Sequence, residues 1–126
     1  MMQTIKAFDE AEKHKGPSLI IAYTPCISHG LYEGMSKVLD EAKQAVNSGY
    51  WQLYRYNPEL EEIGKNPFTL DFKRPDFTQI HDLLLKQARF GNLKRVNIDH
   101  AEQLYDKAMA DSRKRFFEIC PNVWRL

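Results

Sequence analysis

SLIIAY, residues 18–23, is a short and nearly continuous apolar run with two adjacent isoleucines. That pattern suits a strand buried on both faces of a parallel sheet. Gly16-Pro17 stands before it as a helix stop, and TPCISHGLYEG, residues 24–34, follows it as a loop carrying Pro25, His29 and two glycines. Beyond the loop, Met35, Val38, Leu39, Ala42 and Val46 recur at three- and four-residue steps until Ser48-Gly49, which predicts a helix of about four turns. YWQLYRY, residues 50–56, is dense in aromatic side chains and stops at Asn57-Pro58, so it predicts a second strand. Strand, helix and strand make a βαβ crossover, right-handed with its strands parallel. Ligands of such sheets collect beyond the carboxyl ends of the strands. Residues 24–34 leave the first strand at that edge, and they put Cys26 and His29 where this architecture places chemistry.

Working outward, Ile5, Phe8 and Ala11 with Glu12 and Lys13 predict an amphipathic helix ahead of the first strand. Downstream, PELEEIGKNPF is irregular, and residues 68–72 make a short strand able to pair at a sheet edge. Asp76 followed by Gln79 resembles a capping box, and Phe77, Ile80, Leu83, Leu84 and Ala88 form a helical stripe after it. A last helix is expected over residues 98–120, with Ala101, Leu104, Tyr105, Ala108, Phe116 and Ile119 on one face and Asp99 and Glu102 capping its start. The expected fold class is therefore α/β: a partial parallel sheet built on a βαβ unit, with flanking amphipathic helices and a helical C-terminal tail. Residues 1–75 form the α/β part and residues 76–126 a helical extension packing on it.

At 126 residues the chain is one domain's worth, and 43% hydrophobic with 28% charged residues excludes a disordered or fibrous class. Eighteen basic against 17 acidic residues leave +1, so no overall field favours nucleic acid or an anionic membrane. No apolar run reaches the roughly 18 residues of a membrane helix, and Lys6, Asp9, Glu10 and Glu12 occupy the place of a signal peptide's apolar core. A cytoplasmic chain is expected. Cys26 and Cys120 make neither a disulfide framework nor a CxxC pair and cannot close a metal site alone.

Cys26 is the most informative residue. After a buried strand it could be a small hydrophobe, a nucleophile, a redox thiol or one ligand of a metal centre, and on generic grounds the inert reading leads. Pro25 fixes the turn before it, while the N–H groups of Ile27, Ser28, His29 and Gly30 could converge on its sulfur, as donors do around iron–sulfur clusters. His29, three residues on, is a candidate base for a thiol nucleophile but more simply a residue that ties the loop. His14, His81 and His100 lie on helices without ligand partners at i+3 or i+4 and read as surface or capping residues. The basic groups Lys86, Arg89, Lys94, Arg95 and Arg113, Lys114, Arg115 are interleaved with acids and read as solvated faces, as does Glu61-Glu62 in its loop. There is no GxGxxG, no P-loop and no GDG diphosphate motif.

Three linked words, GPSLIIAYTPCISHG (residues 16–30), GYWQLYRYNPEL (residues 49–60) and GKNPFTLD (residues 64–71), stand in the order and approximate spacing of one family. With them the chain resembles the C-terminal portion of the thiamine-diphosphate domain of pyruvate:ferredoxin (flavodoxin) oxidoreductases, and TIKAFDEAEKHK (residues 4–15) and the helical remainder are compatible. The resemblance implies a fragment of an enzyme that converts pyruvate and coenzyme A to acetyl-CoA and carbon dioxide. Its electrons pass through four-iron four-sulfur clusters to ferredoxin or flavodoxin. It further implies that Cys26 is the fourth ligand of the cluster nearest thiamine diphosphate, with Ile27, His29 and Gly30 in the shell around it. The other cysteines, the magnesium and thiamine diphosphate motif and the rest of a homo-oligomeric enzyme lie elsewhere, and Cys120 matches no ligand position. The chain alone is not expected to be active. Two other classes stay open: a non-catalytic packing or interaction module derived from such an enzyme, and a thiol-redox protein using Cys26.

Overall fold

The computed structural model describes residues 2–119. In chain order it contains α1 (Met2–Lys13), α2 (Val38–Asn47), β1 (Tyr54–Tyr56), α3 (Glu59–Glu62), β2 (Phe68–Leu70), α4 (Ile80–Leu85), α5 (Ala88–Val96) and α6 (Ile98–Ile119), with 3₁₀ turns at Ile27–His29, Met35–Lys37 and Phe77–Gln79. Two compact units share the chain: residues up to 22 with 53–73, and residues 23–52 with those from 74 onward.

In the first unit β1 and β2 pair antiparallel, Tyr54 opposite Leu70 and Tyr56 opposite Phe68. The intervening segment closes through the Asn57 N–H to the Pro67 carbonyl at 2.9 Å, and the Tyr54 and Phe68 rings stack diagonally across the pair at 5.5 Å. Mixed helix and sheet is thus as expected, and residues 68–72 do supply a short strand. The parallel βαβ unit is not found among the described residues. Residues 18–23 have no regular secondary structure, with Leu19 84% and Ile21 66% exposed, and only the last three of residues 50–56 are in a strand. The physical reason is supply: a strand buried on both faces needs neighbours on both edges, and closing a short local loop between β1 and β2 costs less than recruiting a distant partner. On α1 the Ile5 and Phe8 stripe forms as read, yet no residue of that helix is buried.

Charge holds this unit together. The Arg55 guanidinium makes a two-pronged contact with Asp71, Nε to Oδ2 and Nη2 to Oδ1 both at 2.8 Å, and also reaches Glu10 of α1. Gln3 donates to the same Asp71 at 3.1 Å. Arg55 holds the Asp71 carboxyl below its ordinary value, against the opposing effect of burial. A carboxyl depressed in the folded state contributes stability that is full above its unfolded value, about 3.9, and is lost as pH falls through the lower folded value. In a urea titration followed on the β1 and β2 amide signals, the Asp71→Asn protein should therefore be less stable at neutral pH, and its deficit should shrink below about pH 4. A deficit independent of pH would refute the ionic account.

The second unit holds the core: Ile80, Leu84, Ala101 and Tyr105 are buried together, with Phe77, Phe90 and Leu93 packed against them. Tyr105 satisfies its hydroxyl by donating to the Phe90 carbonyl at 2.6 Å. Glu102 on α6 ties α4 and α5 to it, accepting from Lys94 at 2.6 Å and lying 3.0 Å from His81, so its carboxyl is held below the ordinary value by Lys94 first and His81 second. Asp76 caps as expected, accepting from the Thr78 N–H, though Gln79 turns back to the Asp76 carboxylate rather than to a backbone N–H. At α6 the capping expectation is corrected: Asn97, not Asp99 or Glu102, accepts from the His100 N–H at 3.0 Å. The helix runs to Ile119, and Cys120 lies outside the described residues. On α2 the buried face is Glu41 and Ala45, continued by Ser48, while Leu39 of the predicted stripe is 75% exposed. Gly49, at φ +74°, ends this stretch where a Cβ would lie 2.7 Å from Phe77 and 2.8 Å from Pro75, so only glycine satisfies both the backbone and the space.

Candidate functional site

The loop of residues 24–34 belongs to the second unit and is held at two anchors. On its N-terminal side the Tyr23 ring stacks on Trp51 at 5.2 Å and meets Tyr50 edge-on, and Pro25 is buried. On its C-terminal side Leu31 is buried and bridges antiparallel to Gln87, with Tyr32 N–H donating to the Lys86 carbonyl at 3.2 Å and Ala88 N–H to the Gly30 carbonyl at 2.6 Å. Between the anchors the chain projects. Cys26 is exposed and extended (φ −111°, ψ 124°), immediately ahead of the Ile27–His29 turn, and Ile27 is 47% exposed. Gly30 closes the turn in the left-handed region, φ 74° and ψ 80°, with its N–H donated to the Ile27 carbonyl at 2.9 Å. Of the four N–H groups expected near the sulfur, that of Gly30 is therefore already engaged within the loop. His29 takes its backbone place in the turn.

Sequence reasoning missed a polar group behind this loop. Glu41, 3% exposed, places one carboxylate oxygen 3.6 Å from Lys86, and Lys86 also donates to Gln44 at 2.9 Å. Gln87 is 4% exposed and accepts from the Arg89 Nε–H at 3.0 Å. Tyr23 Oη, Glu41 Oε2 and Gln87 Nε2 are buried with no hydrogen-bond partner among the described residues. Burial raises the Tyr23 phenol above its ordinary value, the adjacent Gln87 amide opposing it. No sequence signal marks Glu41 or Gln87, because a charged residue in an amphipathic helix is ordinarily assigned to the solvent face.

Two of the other three histidines meet carboxylates, His14 Nδ1 lying 3.0 Å from Glu59 and His81 Nε2 3.0 Å from Glu102, while His100 donates its backbone N–H to Asn97. Among the described residues no three His, Cys, Asp or Glu side chains come together to hold a metal ion, and no helix is long and apolar enough to cross a membrane.

Against known proteins, the chain is 52% identical over 113 residues to pyruvate:ferredoxin oxidoreductase of Moorella thermoacetica, a match covering 90% of this chain and 9% of that protein. The chain is homologous to one segment of the pyruvate oxidoreductases. To the pyruvate-flavodoxin oxidoreductase of Enterobacter agglomerans it is 48% identical over 113 residues, 90% of this chain and 10% of that one. A mitochondrial NADP-dependent pyruvate dehydrogenase of Euglena gracilis is 47% identical over 112 residues, 89% of this chain and 6% of its own length. No family model matches the chain. It thus spans about a tenth or less of these pyruvate oxidoreductases.

Proposed function

We propose that this chain is one segment of a pyruvate:ferredoxin (flavodoxin) oxidoreductase, in which the Cys26 thiolate is one of the four ligands of the four-iron four-sulfur cluster nearest thiamine diphosphate. The complete enzyme, a cytoplasmic homo-oligomer, converts pyruvate and coenzyme A to acetyl-CoA and carbon dioxide and delivers the electrons to ferredoxin or flavodoxin. The observation that carries this reading is the 52% identity sustained over 90% of the chain.

The residues present fit a cluster to which this chain gives a single ligand. Such a cluster takes four thiolates. Cys26 is an exposed residue on a loop held from both sides, and among the described residues no donor set for a whole cluster comes together, so the other ligands come from elsewhere in the enzyme. When bound, the cluster supplies one-electron transfer; the role of this chain's residues is to present the thiolate and to set its surroundings, with Ile27, His29 and Gly30 beside it. The diphosphate motif is absent from the sequence, so thiamine diphosphate and magnesium are held by other parts of the enzyme. Residues 18–23 are then a strand of the parallel thiamine-domain sheet, whose neighbours come from the remainder of the polypeptide. Their exposed, unpaired apolar run supports this. Residues 1–75 belong to that domain and residues 76–126 form a helical extension packing on it.

A chimera in which this chain replaces its counterpart in the Moorella thermoacetica enzyme tests the proposal. Turnover within about tenfold of the parent and an unchanged iron content are expected. A folded chimera with full iron and no turnover would favour the second reading, a packing module no longer suited to catalysis, for which the exposed Leu39 and Ile21 also speak.

A further inference from the structure

We propose that residues 86–88, the break between α4 and α5, are a latch that fixes the loop of residues 24–34 and so determines where the Cys26 thiol is presented. The latch has three parts. The backbone of Gln87 is extended, φ −99° and ψ 122°, and interrupts what would otherwise be one helix. That interruption exposes a short strand-like edge, and Leu31 pairs with it: Tyr32 N–H donates to the Lys86 carbonyl, and Ala88 N–H donates to the Gly30 carbonyl. The second bond is doubly useful, because the first N–H groups of α5 have no partner within the helix and the loop carbonyl satisfies one of them. The third part is steric. A Cβ on Gly30 would collide with the Ala88 Cβ, so the left-handed turn that follows Cys26 sits directly against the first residue of α5. Lys86 then carries the latch to α2 through Gln44 and the buried Glu41, which joins the helix after the loop to the same junction.

The consequence is that Gln87 and Ala88, in the helical half of the chain, are positioning residues for a thiol in the other half. For the electron-transfer role this rests on the cluster-ligand reading above, but the latch itself stands on the contacts alone. Ala88→Pro isolates it. Proline is well tolerated at the first position of a helix, and the extended Gln87 before it already has the backbone that a residue preceding proline requires. The substitution therefore removes the N–H bound to Gly30 and pushes a ring against the loop while leaving α5 able to form.

In the 126-residue chain, hydrogen exchange of the Tyr32 amide should quicken roughly tenfold in Ala88→Pro, with the Tyr105 amide of α6 unchanged, and Ala88→Ser should match the parent. In the chimeric enzyme Ala88→Pro should shift the EPR g values and midpoint potential of one cluster at unchanged iron content. Unaltered Tyr32 exchange overturns the latch, as does a loosened loop with an unaltered cluster in an enzyme where Cys26→Ala does change it. If Cys26→Ala leaves the cluster untouched, the ligand assignment falls, and Tyr32 exchange alone decides the latch. Should Ala88→Pro fail to fold, Ala88→Val crowds the Gly30 turn from the helix side and is judged by the same amide.

Discussion

Cys26→Ala in the chimeric enzyme is expected to change the EPR spectrum of one four-iron four-sulfur cluster and to lower turnover with ferredoxin by more than about 100-fold. Loss of groups that merely support a metal ligand already costs about 10–100-fold, and loss of the ligand itself should exceed that. Among the described residues no three metal-binding side chains come together to offer the cluster another site. The same change in the 126-residue chain should move its stability by less than about 0.5 kcal/mol, because an exposed side chain on a loop carries little packing. The two measurements together separate a ligand from a structural thiol. An unaltered spectrum with full turnover would end the assignment, and a large loss of stability in the chain alone would return Cys26 to the core.

Phe116→Ala should destabilise the chain by about 3–5 kcal/mol in urea unfolding followed by tryptophan fluorescence. Phe116 is 1% exposed and meets Phe77 edge-on at 5.7 Å, in the aromatic cluster that joins α6 to the start of α4. The ring's removal leaves a cavity bounded by a rigid helix and by Phe77, whose neighbour Gly49 cannot be enlarged to fill it. Leu104 provides the comparison. Sequence periodicity sets it on the same face as Phe116, but it is 39% exposed, and Leu104→Ala should cost about 1 kcal/mol or less. Equal losses at the two positions would mean that α6 is rotated from the packing described.

The helical half of the fold was legible because its signals are local. Asp76 does cap the turn that starts the packing helix, and Ile80, Leu83, Leu84, Ala101, Tyr105 and Phe116 are buried as their spacing predicts. The α4 to α5 break was not legible: no Gly or Pro marks it, and Gln87 bends out of the helix because Leu31 pairs with its backbone. On α2 the periodicity pointed to Leu39, whereas Glu41 is the side chain turned inward beside Lys86. A polar residue is sent inside by a partner 45 positions away, and nothing in its own neighbourhood in sequence announces that.

By itself the sequence determined the helix that follows Asp76 and the last helix from Ile98, though not α5 between them, a short strand within residues 68–72, the loop that carries Cys26, and the kinship with pyruvate oxidoreductases through its three words, since each depends on side chains close together along the chain. Only the tertiary structure decided that β1 pairs antiparallel with β2, that residues 18–23 pair with no strand among the described residues, and that Gln87 and Ala88 grip the loop after Cys26. Pairing of backbone edges and close approach of a glycine to a distant methyl are relations between separated segments, and they come into being only when loop closure and burial choose which segments meet.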